Sequence, residues 1–496
     1  MLCTSIAPES RTLAKVDLLN AASQSDMVEL CLDRFIKAPD VKELIEEIDT
    51  PVLVSCRRKQ DGGRWEGTED HRLRRLRAAM GAGPSYVEID IDNAAAIDVS
   101  KETKRVISFT SLDGPLDDIE AMFDRAAAAG ADVAKFTWPT PTLDDAWPML
   151  EAISHDHDVP AVGMGLGHGG LSFSLLGRKY GSPWIYGALE AGMESHEGQC
   201  TLAELEQTHR WREIDGETRF VGVLGFGTSR ARTVRAFNEG FERLQINARC
   251  LPLEIGQFDQ LAEILDALQI NSIVASRHLG EHILPLAEHP EESAEIGRNA
   301  DLLLKKKDGW HGYNSIWRSA IKSLERRLHV AGAGQKPLDG RNVLVFGAGP
   351  LAASMVYGLQ KRGAWVTVTS STDIEDESSV VFCPECGASV NTTPDLAEQM
   401  ADRFDAMAAP FQNVNGLPTD VVVFADPALH LGYAANELNP AFLNSSMTVI
   451  DLAGMHQDSE LAAEARHRGC RVVEAGDVHS DQIATQFKSV AGKELP

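Results

Sequence analysis

A lysine sits inside an apolar run, Ala131-Asp132-Val133-Ala134-Lys135-Phe136-Thr137-Trp138, which reads as a buried β-strand. Burying an ammonium is costly, so the neutral amine is favoured, and a neutral amine attacks a carbonyl to form a Schiff base. The other reading is a strand-end lysine that reaches solvent or pairs with an acid. Glu29, Arg57, Asp61 and the turn Met164-Gly165-Leu166-Gly167-His168-Gly169-Gly170 fall at the ends of other apolar runs. A carboxylate, a guanidinium and an amine in one mouth make a site for a carbonyl acid, whereas each alone reads as a structural ion pair. Near the middle of the second half, Arg341–Phe346 precedes Gly347-Ala348-Gly349-Pro350-Leu351-Ala352. Glycines at 347 and 349 and Ala352 fit the tight turn that sets a helix N-terminus against a pyrophosphate. Thr369-Ser370-Ser371-Thr372, after the next strand, offers hydroxyls for the ribose or its phosphate. The lone Cys383-Pro384-Glu385-Cys386 lacks a second ligand pair, so no metal is expected.

These groups need a scaffold, and the hydrophobic pattern supplies one. Apolar runs recur at Leu2–Ala7, Met27–Asp33, Val52–Arg57, Tyr86–Ile91, Val106–Thr110, Val133–Trp138, Ala161–Gly165 and Trp184–Ala188. Helix-period segments such as Val41–Ile48 and Leu116–Ala129 lie between them, the latter stopped by Gly130. Strand and helix alternating to eight strands predict a parallel (β/α)8 barrel, with chemistry at the strand C-termini. Arg210–Thr218 is polar and reads as a linker. Beyond it, Phe220–Leu224, Thr233–Leu244, Cys250–Leu253, Leu261–Leu268, Ser272–Ala275 and a long helix near Ile316–Leu328 predict a small α/β domain. Lys305-Lys306-Lys307-Asp308-Gly309 reads as a solvated hairpin turn. Strands at Trp365–Thr369, Val421–Phe424, Val449–Leu452 and Arg471–Val473 continue a doubly wound Rossmann sheet.

The 496 residues suffice for several cores, and 43% apolar with 24% charged is an ordinary globular composition. A formal charge of −26 argues against a nucleic-acid partner. Met1–Ala7 is too short and polar for a signal peptide, and no run of about 18 apolar residues implies a membrane span. Scattered cysteines fit a cytoplasmic protein.

Five motifs resemble type I 3-dehydroquinate dehydratases, in family order over residues 1 to about 205. They are Val28-Glu29-Leu30-Cys31-Leu32-Asp33, Cys56-Arg57-Arg58-Lys59-Gln60-Asp61-Gly62-Gly63, Gly130–Lys135, Tyr180-Gly181-Ser182-Pro183 and Glu197-Gly198-Gln199. The resemblance implies that Lys135 forms the imine, that Glu29, Arg57 and Asp61 bind substrate, and that Ser195 and Gln199 lie in the closing loop. It also marks departures. Cys31 replaces an arginine, Thr110 replaces the catalytic histidine, and Phe173 replaces the arginine of a carboxylate clamp. Threonine is no proton carrier near neutral pH, and His168 is the nearest stand-in.

Residues 219–496 are similar to shikimate dehydrogenases through Phe237-Asn238-Glu239, Gly312-Tyr313-Asn314, the Rossmann turn, and Gln482 with Gln486-Phe487. The resemblance implies NADP as cofactor, held by Gly347, Gly349, Ala352, Ser370 and Ser371, with Thr233, Asn314 and Gln482 on the substrate. The family's lysine and aspartate fall on Leu279 and Ile316, its two serines on Ala231 and Thr233, and the NADP-reading arginine is missing. The implied layout is a barrel at 1–209, a substrate domain at 219–332, a Rossmann domain at 333–475 and a returning helix at 476–496. The implied activity is that of a fused dehydratase and dehydrogenase of the shikimate pathway, acting on a small keto or hydroxy acid. The competing reading is a degenerate pseudoenzyme, a binding or regulatory scaffold, above all in the dehydrogenase half.

Overall fold

The computed structural model describes residues 1–496 except 154, 156, 226–229, 277–278, 329–335, 371–380, 383–388, 391–395, 427–437 and 454–458. The chain divides into two compact units, Met1–Arg219 with Asn247–Leu268, and Phe220–Ile246 with Gln269–Pro496.

In the first unit, eight strands stand where the apolar runs predict them. They are β1 (Leu2–Ile6), β2 (Met27–Cys31), β3 (Val52–Ser55), β4 (Tyr86–Asp90), β5 (Lys104–Thr110), β6 (Val133–Pro139), β7 (Ala161–Leu166) and β8 (Ile185–Tyr186). Their order is β7-β6-β5-β4-β3-β2-β1-β8, and the described ladders are all parallel, as in a nearly closed barrel. Side chains alternate, so every second residue of each strand points inward. Met27, Leu53, Val106, Val133, Val162 and Trp184 fill the bottom layer as one apolar cluster. The polar inward residues stack above it. Short polar caps start the outer helices: Ser10 accepts from Leu13 N, and Thr201 makes a reciprocal box with Glu204. Gly130, at φ +70°, ends the helix Ile119–Ala128 just before β6, where a side chain would be strained.

The polar stretch Arg210–Thr218 is packed. Trp211 and Ile214 are buried, and the Thr218 hydroxyl bonds Asp215 and Asn247. β10 (Ala248–Leu253) also falls in this unit.

The second unit holds two sheets. The first runs β9-β11-β13-β14-β12 through β9 (Arg219–Leu224), β11 (Ser272–Ala275), β12 (His289–Pro290), β13 (Leu302–Lys306) and β14 (Gly309–Tyr313). β13 and β14 form the hairpin expected at Lys305–Gly309, with Lys306 opposite Gly309. The second sheet is built from β15 (Asn342–Phe346) and β16 (Trp365–Thr369). A ribbon of β17 (Val381–Phe382) and β18 (Ser389–Val390) stands apart from it, and β19 (Met407–Ala408), β20 (Val421–Phe424), β21 (Thr448–Asp451) and β22 (Arg471–Val473) complete it. Its order is β19-β16-β15-β20-β21-β22, with parallel ladders. That is the doubly wound Rossmann arrangement read from the sequence. Buried Val343, Val345, Val421 and Val423 face the helix Pro350–Gln360 in one core. Among the described residues, no helix is long and apolar enough to cross a membrane.

Candidate functional site

Lys135 is the second inward residue of β6, level with Ser108 on β5 and Val162 on β7. Its side chain is 1% exposed. The amine Nζ donates to Glu88 Oε2 at 2.8 Å and lies 4.8 Å from the centre of the Tyr186 ring. Arg57 grips the same acid through Nε at 3.0 Å and Nη2 at 2.8 Å, and it also pairs with Glu29. Ser5 Oγ donates to the other oxygen of Glu29 at 2.7 Å. The result is a buried quartet of two acids and two cations, electrically balanced among themselves. Burial pushes both carboxyls up, but Arg57 and then Lys135 outweigh it, so Glu29 is held below the usual carboxylate range and Glu88 well below it. Both readings of the lysine thus meet in one residue: it is buried, and it is paired with an acid.

Above the quartet a cavity of about 370 Å³ opens at the strand C-termini, lined among others by Arg57, Asp61, Thr137, Ser195 and His196. Thr137 is the next inward residue of β6, so Lys135 lies two residues, roughly 6.6 Å of strand, beneath it. Of the residues singled out in the sequence, Glu29 and Lys135 are brought together below the cavity by Arg57, which lines it, and Asp61 and Ser195 line it as well. Asp61 Oδ2 accepts from Arg58 Nε at 2.5 Å. Gln199 does not line this cavity; its Oε1 accepts from Ser195 N at 2.7 Å and braces the loop.

Two residues escaped sequence reasoning. Glu88 is the hub of the quartet, and Tyr86-Val87-Glu88-Ile89-Asp90 carries the signal: two acids alternate with apolar residues on a strand that must be buried, which requires cations inside. His196 is the second. Its Nδ1 accepts from Gly167 N at 3.2 Å and lies 2.9 Å from Glu197 O. Burial pulls His196 below the ordinary histidine value, so the ring stays neutral through the physiological range. His168, the stand-in expected from sequence, is half exposed, sits 3.5 Å from Glu197 and does not line the cavity. Thr110, where the resemblance puts a histidine, ends β5 opposite Thr137.

In the second unit, Gly347 has φ +119°, and a Cβ there would lie 3.0 Å from Ala425 C and Asp426 N. Gly349 caps the helix Pro350–Gln360, and a Cβ there meets no atom within 4 Å. That open space in front of free helix amides suits a pyrophosphate. Ala352 is fully buried against the sheet. At the end of β16 the buried hydroxyls of Thr369 and Ser370 have no partner among the described residues, which suits a ribose or phosphate. Ser371 lies outside the described residues. Gly349→Asp should leave thermal stability unchanged or slightly raised, since aspartate is a favourable N-cap. It should also weaken NADP binding more than ~10-fold by setting a carboxylate against the phosphates. Tryptophan-fluorescence titration of both proteins checks this.

Thr233, Asn314 and Gln482 are all buried and bonded internally. Asn314 Nδ2 donates to Ser354 Oγ at 2.8 Å, Gln482 Nε2 to Asp301 Oδ2 at 2.8 Å, and Thr233 Oγ1 lies 3.5 Å from His479 Nε2. Asp301, raised by burial, also accepts from Ser315 and Ile316 at the start of the helix Ile316–Arg327. Ile316 is buried and Leu279 partly buried, so hydrocarbon stands at both positions. Arg277 and His278, the titratable side chains just before Leu279 in sequence, lie outside the described residues.

Residues 2–215 match the family model of type I 3-dehydroquinase. The bifunctional 3-dehydroquinate dehydratase/shikimate dehydrogenase of Arabidopsis thaliana is 24% identical over 505 residues, covering 95% of this chain and 78% of its own. The shikimate dehydrogenase (NADP(+)) of Anaeromyxobacter dehalogenans is 25% identical over 57% of this chain and 94% of its own. The solved dehydroquinate dehydratase and shikimate dehydrogenase of S. pombe AroM aligns with 100% of this chain and 96% of its own, at 16% identity and a TM-score of 0.43. Residues 2–215 thus match the type I 3-dehydroquinase family model, within a chain similar along most of its length to a fused 3-dehydroquinate dehydratase/shikimate dehydrogenase.

Proposed function

We propose that the first unit is a Schiff-base lyase that dehydrates 3-dehydroquinate to 3-dehydroshikimate. The observation that carries this is Lys135, buried beside Glu88 and Arg57 beneath a cavity with room for a ring. Arg34, Arg57 and Arg64 line the cavity and supply positive charge for a carboxylate, against a chain whose net charge is −26. Entry of the substrate ketone displaces the Lys135–Glu88 contact, and the amine's proton passes to solvent. The neutral amine attacks the carbonyl carbon, and the carbonyl oxygen leaves as water. The imine nitrogen then draws electrons as His196 removes a proton from the neighbouring carbon. His196 returns that proton to the departing hydroxyl, and one water restores the amine, so the net change is loss of one water. Asp61, Ser195 and Gln199 hold the mouth closed around the ring. Absorbance of the conjugated enone on adding 3-dehydroquinate tests the assignment. A flat trace at high enzyme concentration would end it.

His196→Ala should lower kcat by about 10²–10⁴-fold, the usual range for a lost acid–base group, with little change in melting temperature. The wild-type rate should hold as pH falls to 6.5 and drop only below it, because the folded histidine protonates later than a free one. Unchanged kcat would return the proton carrier to an unassigned group.

For the second unit, NADP binding is the reading the turn favours, held by Gly347, Gly349, Ala352, Thr369 and Ser370. The cofactor when bound supplies a hydride acceptor. Leu279 and Ile316 hold no titratable proton, and Asn314 and Gln482 spend their amides on Ser354 and Asp301. That favours a unit that binds dinucleotide yet oxidises shikimate at least ~10²-fold more slowly than one with a proton relay. A cytoplasmic setting suits the thiols of Cys3, Cys31, Cys56 and Cys470.

A further inference from the structure

His289 on β12 and His311 on β14 are partners across a parallel ladder, and their rings lie 4.8 Å apart. Asp308, in the turn of the β13–β14 hairpin, stands beside both. Its Oδ1 is 3.0 Å from His311 Nε2, its Oδ2 is 3.8 Å from His289 Nε2, and its backbone oxygen is 2.9 Å from His289 Nε2. One ligand atom from each residue lies within 4.8 Å of the others, and all three face solvent to some degree. Glu288, next in sequence, turns away to accept from Trp310 N at 3.4 Å.

We infer that His289, His311 and Asp308 form a surface site for one divalent transition-metal ion of the zinc class. Two imidazole nitrogens and one carboxylate oxygen suit zinc, cobalt or nickel, whereas calcium and magnesium prefer oxygen-only sets. The three ligand atoms already lie within 4.8 Å of one another, and an ion between them would stand about 2.0–2.2 Å from each. Solvent takes the remaining positions. Such an ion ties the hairpin tip to β12, a two-residue edge strand with little ladder of its own. The site stands apart from the dinucleotide turn, and its failure leaves the catalytic assignments untouched.

The test uses the full chain without a histidine tag and carrying Cys383→Ser and Cys386→Ser, so that the close cysteine pair contributes nothing. Zinc is titrated calorimetrically, and cobalt is followed by its visible spectrum. One equivalent of zinc is expected, with a cobalt spectrum free of thiolate charge transfer. His311→Ala and His289→Ala should each weaken binding more than ~10-fold, and Asp308→Asn provides a third variant if either fails to fold. Metal-free melting curves should be unaltered. No equivalent bound, or an equivalent unmoved by His311→Ala, would overturn the inference.

Discussion

Lys135→Met is expected to lower turnover of 3-dehydroquinate by about 10⁴-fold or more, ~5–6 kcal/mol of transition-state stabilisation. The magnitude follows from the chemistry: methionine has no lone pair to form an imine, and no other described side chain beneath the cavity offers a primary amine. Methionine also fills much of the space, and Glu88 keeps Arg57 as a partner, so the barrel should still fold. Steady-state kinetics with circular dichroism separate the two effects. A variant within tenfold of wild type would mean that Lys135 is only a structural ion-pair member.

Glu88→Ala should be the most destabilising single change in the first unit. It leaves Arg57 and Lys135 sharing Glu29 alone, and removing one member of a buried pair costs about 3–5 kcal/mol. At ~2–4 °C per kcal/mol for a unit of this size, melting should fall by roughly 6–20 °C. Combining Glu88→Gln with Lys135→Met removes one charge of each sign. The double variant should therefore lose less than the sum of the singles, by ~0.5–3 kcal/mol. Additive losses would show that the four groups act independently. The same quartet sets the acid limit. Glu29 and Glu88 titrate lower in the folded protein than the ordinary 4.5. Their contribution is complete above that value and is lost as pH falls below it, towards the folded values. Wild type should thus lose stability on acidification more steeply than Glu88→Gln, as melting temperature from pH 6 down to ~3 would record.

The frame was legible because strand periodicity is a short-range signal. All eight barrel strands fall within the apolar runs or within two residues of them, and the Rossmann strands lie where the turn at Gly347 and Gly349 requires. The interior chemistry was less so. Glu29, Arg57 and Lys135 come from strands distant in sequence, and their pairing through Glu88 depends on ladder registers that no local pattern carries. Glu88 was hidden in a run judged by its apolar neighbours. The two loop histidines show the same limit: His168 lies in a conspicuous glycine turn yet faces solvent, whereas His196 reaches the cavity only because the loop after β8 folds over it. Arg210–Thr218 looked like a linker by composition, but two apolar residues in it, Trp211 and Ile214, decide its burial.

The most direct measurement is borohydride reduction of the protein incubated with 3-dehydroquinate, followed by peptide mass analysis. A trapped imine should add the reduced ligand to the peptide that carries Lys135, and to no peptide of the Lys135→Met variant. An unmodified chain under conditions that trap a known Schiff-base lyase, or an adduct on some other lysine, would contradict the role given to Lys135.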